Sequence, residues 1–141
     1  MAARALLDTG AFLAFADPKD PWHERCQIAF REAPAPFLTT PAILTELFYL
    51  LGDRRQLVKK AWEILLVGPI EIAPITKPDL SRLSLLMSRY ADRPMDFADA
   101  TLVHVAEREG LRTILTIDHD DFETYRIGRN AKFRILPART R

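Results

Sequence analysis

Acidic side chains at the ends of two apolar segments are the first candidates for chemistry in this sequence. Asp8 follows one short apolar segment and Asp118 follows another, and both segments have the length and composition of buried strands. In an open parallel sheet, ligands bind beyond the carboxyl ends of the strands. Either acid alone is equally well explained as the N-cap of the next helix, but the two together favour a functional site.

Glu46 is a carboxylate inside an almost entirely apolar segment, residues 42–51. A helix that is apolar on all sides is expected to be buried, and burial of an unpaired carboxylate is costly. Glu46 therefore needs a partner, which is either an Arg in a structural ion pair or a cation in a cleft. We favour the cation.

Asp96 and Asp99 stand three residues apart at the start of a predicted helix, which places them on one face about 5–6 Å apart. Asp96 has the position of an N-cap, and Asp99 that of a first-turn acid beside the positive end of the helix. Capping explains Asp99 less well, because Ala98, Leu102 and Val105 indicate that this helix is substantially buried.

A bound cation would offset the charge repulsion among these acids. Carboxylates that converge without counter-charge repel, and each raises the pKa of the others. Oxygen ligands without cysteine or clustered histidine select Mg²⁺ or Mn²⁺ over Zn²⁺. Such a centre lowers the pKa of a bound water and stabilises charge on a phosphodiester, so hydrolysis of nucleic acid is the natural chemistry.

The elements that must position these acids alternate between short strands and longer helices. The predicted strands are residues 3–7, 37–39, 70–73, 112–117 and 133–136. The predicted helices are residues 10–16, a helix that starts at Asp20-Pro21, and residues 41–51, 54–67, 78–90 and 96–109. Strands that alternate with helices imply a parallel sheet covered on both faces.

The composition is that of one ordered domain, which we predict over residues 1–141. With 48% apolar and 28% charged residues, the chain is neither disordered nor collagen-like. The one cysteine, Cys26, cannot close an internal disulfide. The longest apolar run, residues 11–16, is far shorter than the ~20 residues that span a bilayer, and the first residues lack a secretory apolar region. We therefore expect a soluble, cytoplasmic protein without membrane association.

The net charge of +1 does not by itself indicate a nucleic-acid partner, but the basic residues are clustered. One cluster comprises Arg54, Arg55, Lys59 and Lys60. The segment from position 126 onward has six basic residues and no acid: Arg126, Arg129, Lys132, Arg134, Arg139 and Arg141. These clusters either contact phosphates or form a solvated helix face and a basic tail.

Four short motifs, in this order and at these separations, resemble the PIN-domain family and within it the VapC-type toxins of toxin–antitoxin pairs. The motifs span nearly the whole chain. They are Leu6-Leu7-Asp8-Thr9, Thr45-Glu46-Leu47, Met95-Asp96-Phe97-Ala98-Asp99-Ala100, and Leu115-Thr116-Ile117-Asp118 followed by Asp121-Phe122.

The resemblance implies one PIN-like nuclease domain, a three-layer α/β/α sandwich around a central parallel sheet. It also implies Mg²⁺ or Mn²⁺ dependence, endoribonuclease activity and neutralisation by a small antitoxin, and we expect a homodimer. The acidic quartet of the family corresponds to Asp8, Glu46, Asp99 and Asp118, which are the predicted catalytic and metal-binding residues. Asp96 corresponds to an auxiliary acid and is also a predicted metal ligand. Thr9 and Thr116 fall where a hydroxyl orients a ligand or phosphate.

Alternative interpretations remain open at this point. A non-catalytic PIN-like module that binds RNA or a protein would be expected to lack one of the carboxylates, whereas the set here is complete. A phosphatase-like domain with Asp8 as nucleophile is disfavoured, because no second acid follows two residues later. DNA is possible as substrate in place of RNA, and Asp121 could exchange roles with Asp118 if the register slipped.

Overall fold

The computed structural model describes residues 4–93 and 95–139 and has a central, fully parallel five-stranded sheet. The strands occur in the spatial order β3-β2-β1-β4-β5. They are β1 (Ala5–Leu7), β2 (Phe37–Thr39), β3 (Ile70–Ile72), β4 (Thr113–Leu115) and β5 (Arg134–Leu136). The predicted parallel sheet is confirmed.

Helices cover both faces of this sheet, which confirms the predicted α/β/α sandwich. They are α1 (Thr9–Ala16), α2 (His23–Glu32), α3 (Pro41–Leu51), α4 (Arg55–Val67), α5 (Leu80–Arg89), α6 (Phe97–Glu109) and α7 (His119–Thr124). A short 3-10 helix, Lys77–Asp79, precedes α5. No helix within the described residues is both long and apolar enough to cross a membrane.

The two layers have separate apolar cores because side chains alternate along each strand. Ala5 and Leu7 of β1 pack into the core that α1, α2 and α4 cover, whereas Leu6 packs into the core that α5 and α6 cover. All three side chains are fully buried. Burial on both faces accounts for the continuous apolar sequence of this strand.

The α3 helix begins and ends as its sequence predicts, but it is not buried on all sides. Thr40 accepts a hydrogen bond from the Ile43 amide at the N-terminus, and Gly52 follows the C-terminus with a φ of 57°. The inward stripe of the helix is buried, whereas Tyr49 is 83% and Leu50 47% exposed. The prediction of a wholly buried helix is therefore wrong, because α3 packs through one stripe only.

Other differences from the predicted elements concern short segments. The α2 helix starts at His23 and not at Asp20, because the Asp20 carboxylate accepts a hydrogen bond from the Trp22 amide and forms a turn there. The first strand begins at Ala5 within the described residues. The α7 helix was not among the predicted elements, although Asp118 was considered as the N-cap of a following helix, since its six residues are too few to show a helical apolar period.

The path of the chain places β1 and β4 at the point where the strand order reverses. From β1 the chain moves outward through β2 to β3, and it then returns to β4 beside β1 and continues to β5. Residues Leu6 and Leu7 are in register with Ile114 and Leu115. Diverging loops leave a crevice at the carboxyl ends of such a strand pair, which is where ligands bind in open α/β sheets.

Candidate functional site

A cavity of about 300 Å³ opens at the carboxyl ends of β1 and β4. Six of the residues that line it are acidic: Asp8, Glu46, Asp96, Asp99, Asp118 and Asp121. The structure thus brings together all five acids that the sequence singled out, together with Asp121, whose role the sequence left ambiguous.

Asp8 directly follows β1 and also caps α1. One carboxylate oxygen accepts a hydrogen bond from the Thr9 amide at 2.8 Å, and the other accepts one from the Thr116 hydroxyl at 2.7 Å. The pKa of Asp8 is raised to about 6, mainly by burial and to a smaller extent by the nearby charges of Glu46 and Asp118, against the opposing effect of these two hydrogen bonds.

Asp96 and Asp99 have different positions at the start of α6, as their spacing predicted. Asp96 is the N-cap of α6 and accepts a hydrogen bond from the Asp99 amide at 2.8 Å. Asp99 is 8% exposed, and one of its carboxylate oxygens accepts a hydrogen bond from the Tyr125 hydroxyl at 2.9 Å. The pKa of Asp99 is raised to about 8, first by burial and then by the charges of Asp8 and Asp96. The expected burial of α6 is confirmed.

Asp118 lies three residues beyond β4 and caps α7, where it accepts a hydrogen bond from the Asp121 amide at 3.3 Å. Carboxylate oxygens of Asp99, Asp118 and Asp121 all lie within 4.8 Å of one another. Burial, followed by the interaction with Asp121, raises the pKa of Asp118 to about 6. Asp121 is also paired with Arg93, at 2.8 Å from the guanidinium.

Glu46 has a hydroxyl partner, which neither of the two sequence-based alternatives anticipated. The Thr9 hydroxyl donates to its carboxylate at 2.5 Å. The Thr116 hydroxyl donates to Asp8 and accepts from the Asp118 amide at 3.0 Å, so it joins the ends of β1 and β4. Both threonines therefore act on the acids themselves in this structure.

Acids on the outer side of α7 have a different environment. Asp120 and Glu123 both pair with Arg139, whose guanidinium lies 2.6 Å and 2.7 Å from their respective carboxylate oxygens. This pairing lowers the pKa of both acids. One residue of the predicted basic tail is thus engaged in an ion pair, and Arg141 lies outside the described residues.

His119 lies next to Asp118 but belongs to the packing of the domain. It is 6% exposed, its Nε2 atom lies 2.8 Å from the carbonyl oxygen of Pro137, and its ring stacks against Trp22. These contacts give His119 a structural role.

Sequence reasoning did not identify two residues at the site, Tyr125 and Arg93. Tyr125 donates to Asp99 from 26 residues away in the sequence, and no local pattern marks that contact. Arg93 reaches Asp121 from a loop 28 residues away. The helical spacing of Asp118 and Asp121 was a signal for Asp121, since residues three apart lie on one face of a helix.

The arrangement can hold a hard divalent cation. Asp99, Asp118 and Asp121 supply closely spaced oxygen atoms. Burial first, and neighbouring acids second, raise the pKa values of Asp8, Asp99 and Asp118. Oxygen donors of this kind suit Mg²⁺ or Mn²⁺.

A parallel sheet with acids at its switch point defines the class of protein, and the family model "PIN domain" matches residues 5–128. The chain belongs to the PIN-domain family, as its motifs indicated. It is 28% identical to ribonuclease VapC26 of Mycobacterium tuberculosis (strain ATCC 25618 / H37Rv) over an alignment of 142 positions, which covers 94% of this chain and 99% of that protein.

Two solved structures share the fold. The M. tuberculosis toxin VapC20, described as cleaving the sarcin-ricin loop, superposes with a TM-score of 0.73 at 23% identity, covering 82% of this chain and 91% of that one. The DNA-bound VapBC complex of Salmonella typhimurium superposes with a TM-score of 0.68 at 16% identity, covering 95% and 98%.

Proposed function

We propose that this protein is a metal-dependent endoribonuclease and the toxin of a VapBC-type toxin–antitoxin pair, acting through one nuclease domain. The observation that carries the proposal is the group of poorly compensated carboxylates at the switch point between β1 and β4. The similarity to a protein named as a ribonuclease supports RNA as the substrate.

Asp8, Glu46, Asp99 and Asp118 are the proposed catalytic residues, and with Asp96 they are the proposed holders of Mg²⁺ or Mn²⁺. When bound, the cation supplies an activated water and neutralises charge on the phosphodiester. The hydroxyls of Thr9 and Thr116 hold the carboxylates of Glu46 and Asp8 through hydrogen bonds. These two acids therefore have a set orientation before substrate arrives.

The experiment that tests this proposal is incubation of the purified protein with structured RNAs, with and without Mg²⁺. We expect cleavage only with the metal, and none from the Asp8→Asn variant. Asp120→Asn is a matched control, because Asp120 is an aspartate that pairs with Arg139 and does not line the cavity. RNA binding without cleavage would instead favour a non-catalytic binding module, and cleavage of DNA alone would change the substrate.

The antitoxin is proposed from the electrostatics of the cavity and the VapBC complex among the structural neighbours. A small protein can inhibit such a site by laying an apolar helix against the surface and inserting an Arg or Lys among the carboxylates. We expect a neighbouring gene to encode this protein, and its co-expression to relieve growth arrest. Arrest that no neighbouring small protein relieves would contradict the toxin role while leaving the nuclease intact.

A homodimer is proposed through an apolar face formed by Tyr49, Leu80, Met87 and Phe97. Two cavities of about 870 Å³ and 530 Å³ lie side by side there, and both are lined by Leu80 and Phe97. Exposed apolar faces of this kind mark interaction surfaces, and two-fold dimers are the commonest oligomers.

Light scattering after size exclusion tests the dimer with two variants of α5. Leu80→Asp is expected to give a monomer. Leu85→Asp is the control, because Leu85 is 62% exposed on the same helix but lines neither cavity. Equal masses for both variants and the wild type would argue against this face.

A further inference from the structure

Three acids in the cavity each receive one hydrogen bond from a hydroxyl group. Thr116 donates to Asp8, Thr9 donates to Glu46, and Tyr125 donates to Asp99. The two threonines lie beside the acids in the sequence motifs. Tyr125 lies outside those motifs and comes from the far end of α7.

The ring of Tyr125 is held in one position by packing. The residue is fully buried, and its ring packs edge to face against Tyr90 and Phe122, with centroid distances of 5.1 Å and 5.2 Å. Phe122 packs in turn edge to face against Phe133 at 5.4 Å. A ring fixed on two sides presents its hydroxyl in a fixed direction.

Asp99 depends on an outside contact for its orientation. Its backbone is fixed, because its amide donates to the Asp96 cap. The last side-chain torsion of an aspartate, χ2, has a broad distribution of angles. The position of the backbone therefore does not by itself decide which carboxylate oxygen faces the cavity. The Tyr125 hydroxyl binds Oδ2 and thereby fixes that rotation.

The same helix also carries the other two acids of the close group. Asp118 caps α7 at its start, Asp121 lies in its first turn, and Tyr125 follows its last residue. The Tyr125 amide donates to the Asp121 carbonyl at 2.9 Å, which ties the tyrosine to the helix end. One short helix therefore sets Asp118 and Asp121 directly, and sets Asp99 through the tyrosine.

We propose that Tyr125 is a positioning residue that orients the Asp99 carboxylate toward Asp118 and Asp121 for binding of a divalent cation. The proposal rests on the metal-dependent function proposed above. Partners that support a ligand in this way contribute about 10–100-fold to metal affinity or activity.

Tyr125→Phe tests the proposal, because it removes the hydroxyl and keeps the packed ring. We expect its Kd for Mn²⁺, measured by calorimetry on the metal-free protein, to rise about tenfold or more. The rate of RNA cleavage should recover most of its wild-type value at saturating Mn²⁺. A residue with only a structural role is not expected to lower the cleavage rate solely at subsaturating Mn²⁺ concentrations.

Tyr90→Phe is the matched control. Its hydroxyl accepts a hydrogen bond from the Arg126 amide, and its ring contacts Tyr125, but none of its hydrogen bonds in the described structure reaches a cavity acid. We expect its Kd for Mn²⁺ to equal that of the wild type. If both variants bind Mn²⁺ as the wild type does, or if Tyr125→Phe lowers only the Tm, the positioning role is wrong.

A double-mutant cycle with Asp99→Asn adds a second measurement. If Tyr125 acts through Asp99, Tyr125→Phe should not weaken the residual Mn²⁺ binding of Asp99→Asn any further. Additive losses would overturn the proposal. Wild-type protein that binds no Mn²⁺ would overturn the proposed function itself, so the two failures are distinguishable.

Discussion

The α6 helix takes part in two clusters of charged residues, which affect the pKa of their aspartates in opposite directions. At its start, Asp99 lies among other carboxylates, and its pKa is raised to about 8. Further along, His104 and Arg108 lie 2.8 Å and 3.3 Å from the carboxylate of Asp79, which precedes α5. Hydrogen bonds from Thr76 and His104 hold the pKa of Asp79 well below its usual range.

The opposite pKa shifts of Asp79 and Asp99 arise from their surroundings and not from the residue type. Both aspartates have little exposure and both accept hydrogen bonds from a hydroxyl. Asp79 has cationic or ionisable partners within the protein, and it joins α5 to α6. Asp99 has acids as its charged neighbours, so its charge is left for a cation from outside to neutralise.

The largest expected effect is on catalysis. Asp8→Asn, Glu46→Gln, Asp99→Asn and Asp118→Asn should each lower the rate of RNA cleavage more than about 100-fold, the upper end for groups that only support a ligand. Double variants should lose little more, because these groups act as a unit. Asp79→Asn should keep near wild-type rates. Single-turnover cleavage of a structured RNA with Mg²⁺ measures these rates. Equal losses of cleavage rate after substitution of Asp79 and of the cavity acids would contradict the proposed difference between the two clusters.

The next effect is stabilisation by metal. Mn²⁺ at a hundredfold excess over its Kd should stabilise the wild type by about 2.7 kcal/mol. Mn²⁺ should stabilise the Asp79→Asn variant as much as the wild type, because Asp79 is paired with side chains of the protein and takes no part in the proposed metal site. It should stabilise Asp99→Asn less. Thermal unfolding with EDTA and with Mn²⁺ measures the gain. A wild type with no response to metal would contradict the proposed centre.

The two clusters should also differ in the sign of their pH dependence. Since the folded pKa of Asp99 is raised from 3.8 to about 8, its contribution to stability is complete below pH 3.8 and is lost as pH rises toward 8. The lowered pKa of Asp79 acts in the opposite sense, with stability present above its unfolded pKa and lost in acid.

Urea unfolding in EDTA between pH 2 and pH 8 tests this difference. At pH 8, Asp99→Asn should leave the free energy of unfolding unchanged or raise it, by about 1.4 kcal/mol for each pKa unit relieved. Asp79→Asn should lower it. A large loss of stability for Asp99→Asn would identify Asp99 as a buried structural partner, since breaking a buried ion pair costs about 3–5 kcal/mol.

Sequence patterns predicted the sheet, six of the seven described helices and the convergence of the acids, because these depend on local periodicity and on where strands end. The α7 helix and the Tyr125 contact were beyond such patterns. A six-residue helix shows no clear period, and the contact joins residues 26 positions apart. The exposure of Tyr49 was missed for a similar reason, since composition cannot show which face of α3 has a neighbour.

Asp121 combines the two environments, and its substitution should have the smallest effect of those that touch the cavity. It lies within the close group of Asp99 and Asp118, yet Arg93 neutralises it from 2.8 Å. A carboxylate already paired with a guanidinium gains less from a cation than an unpaired one does. We therefore expect Asp121→Asn to lower cleavage only about tenfold, within the range for supporting groups.

Arg93→Ala sharpens this expectation, because it leaves Asp121 without its guanidinium partner in the same group of carboxylates. Affinity for Mn²⁺ should then increase, since one more uncompensated negative charge faces the cavity. Asp120→Asn is the neutral reference. If Asp121→Asn abolishes cleavage while Asp118→Asn does not, the acid at the end of β4 is misassigned, and Asp121 rather than Asp118 belongs with Asp8, Glu46 and Asp99.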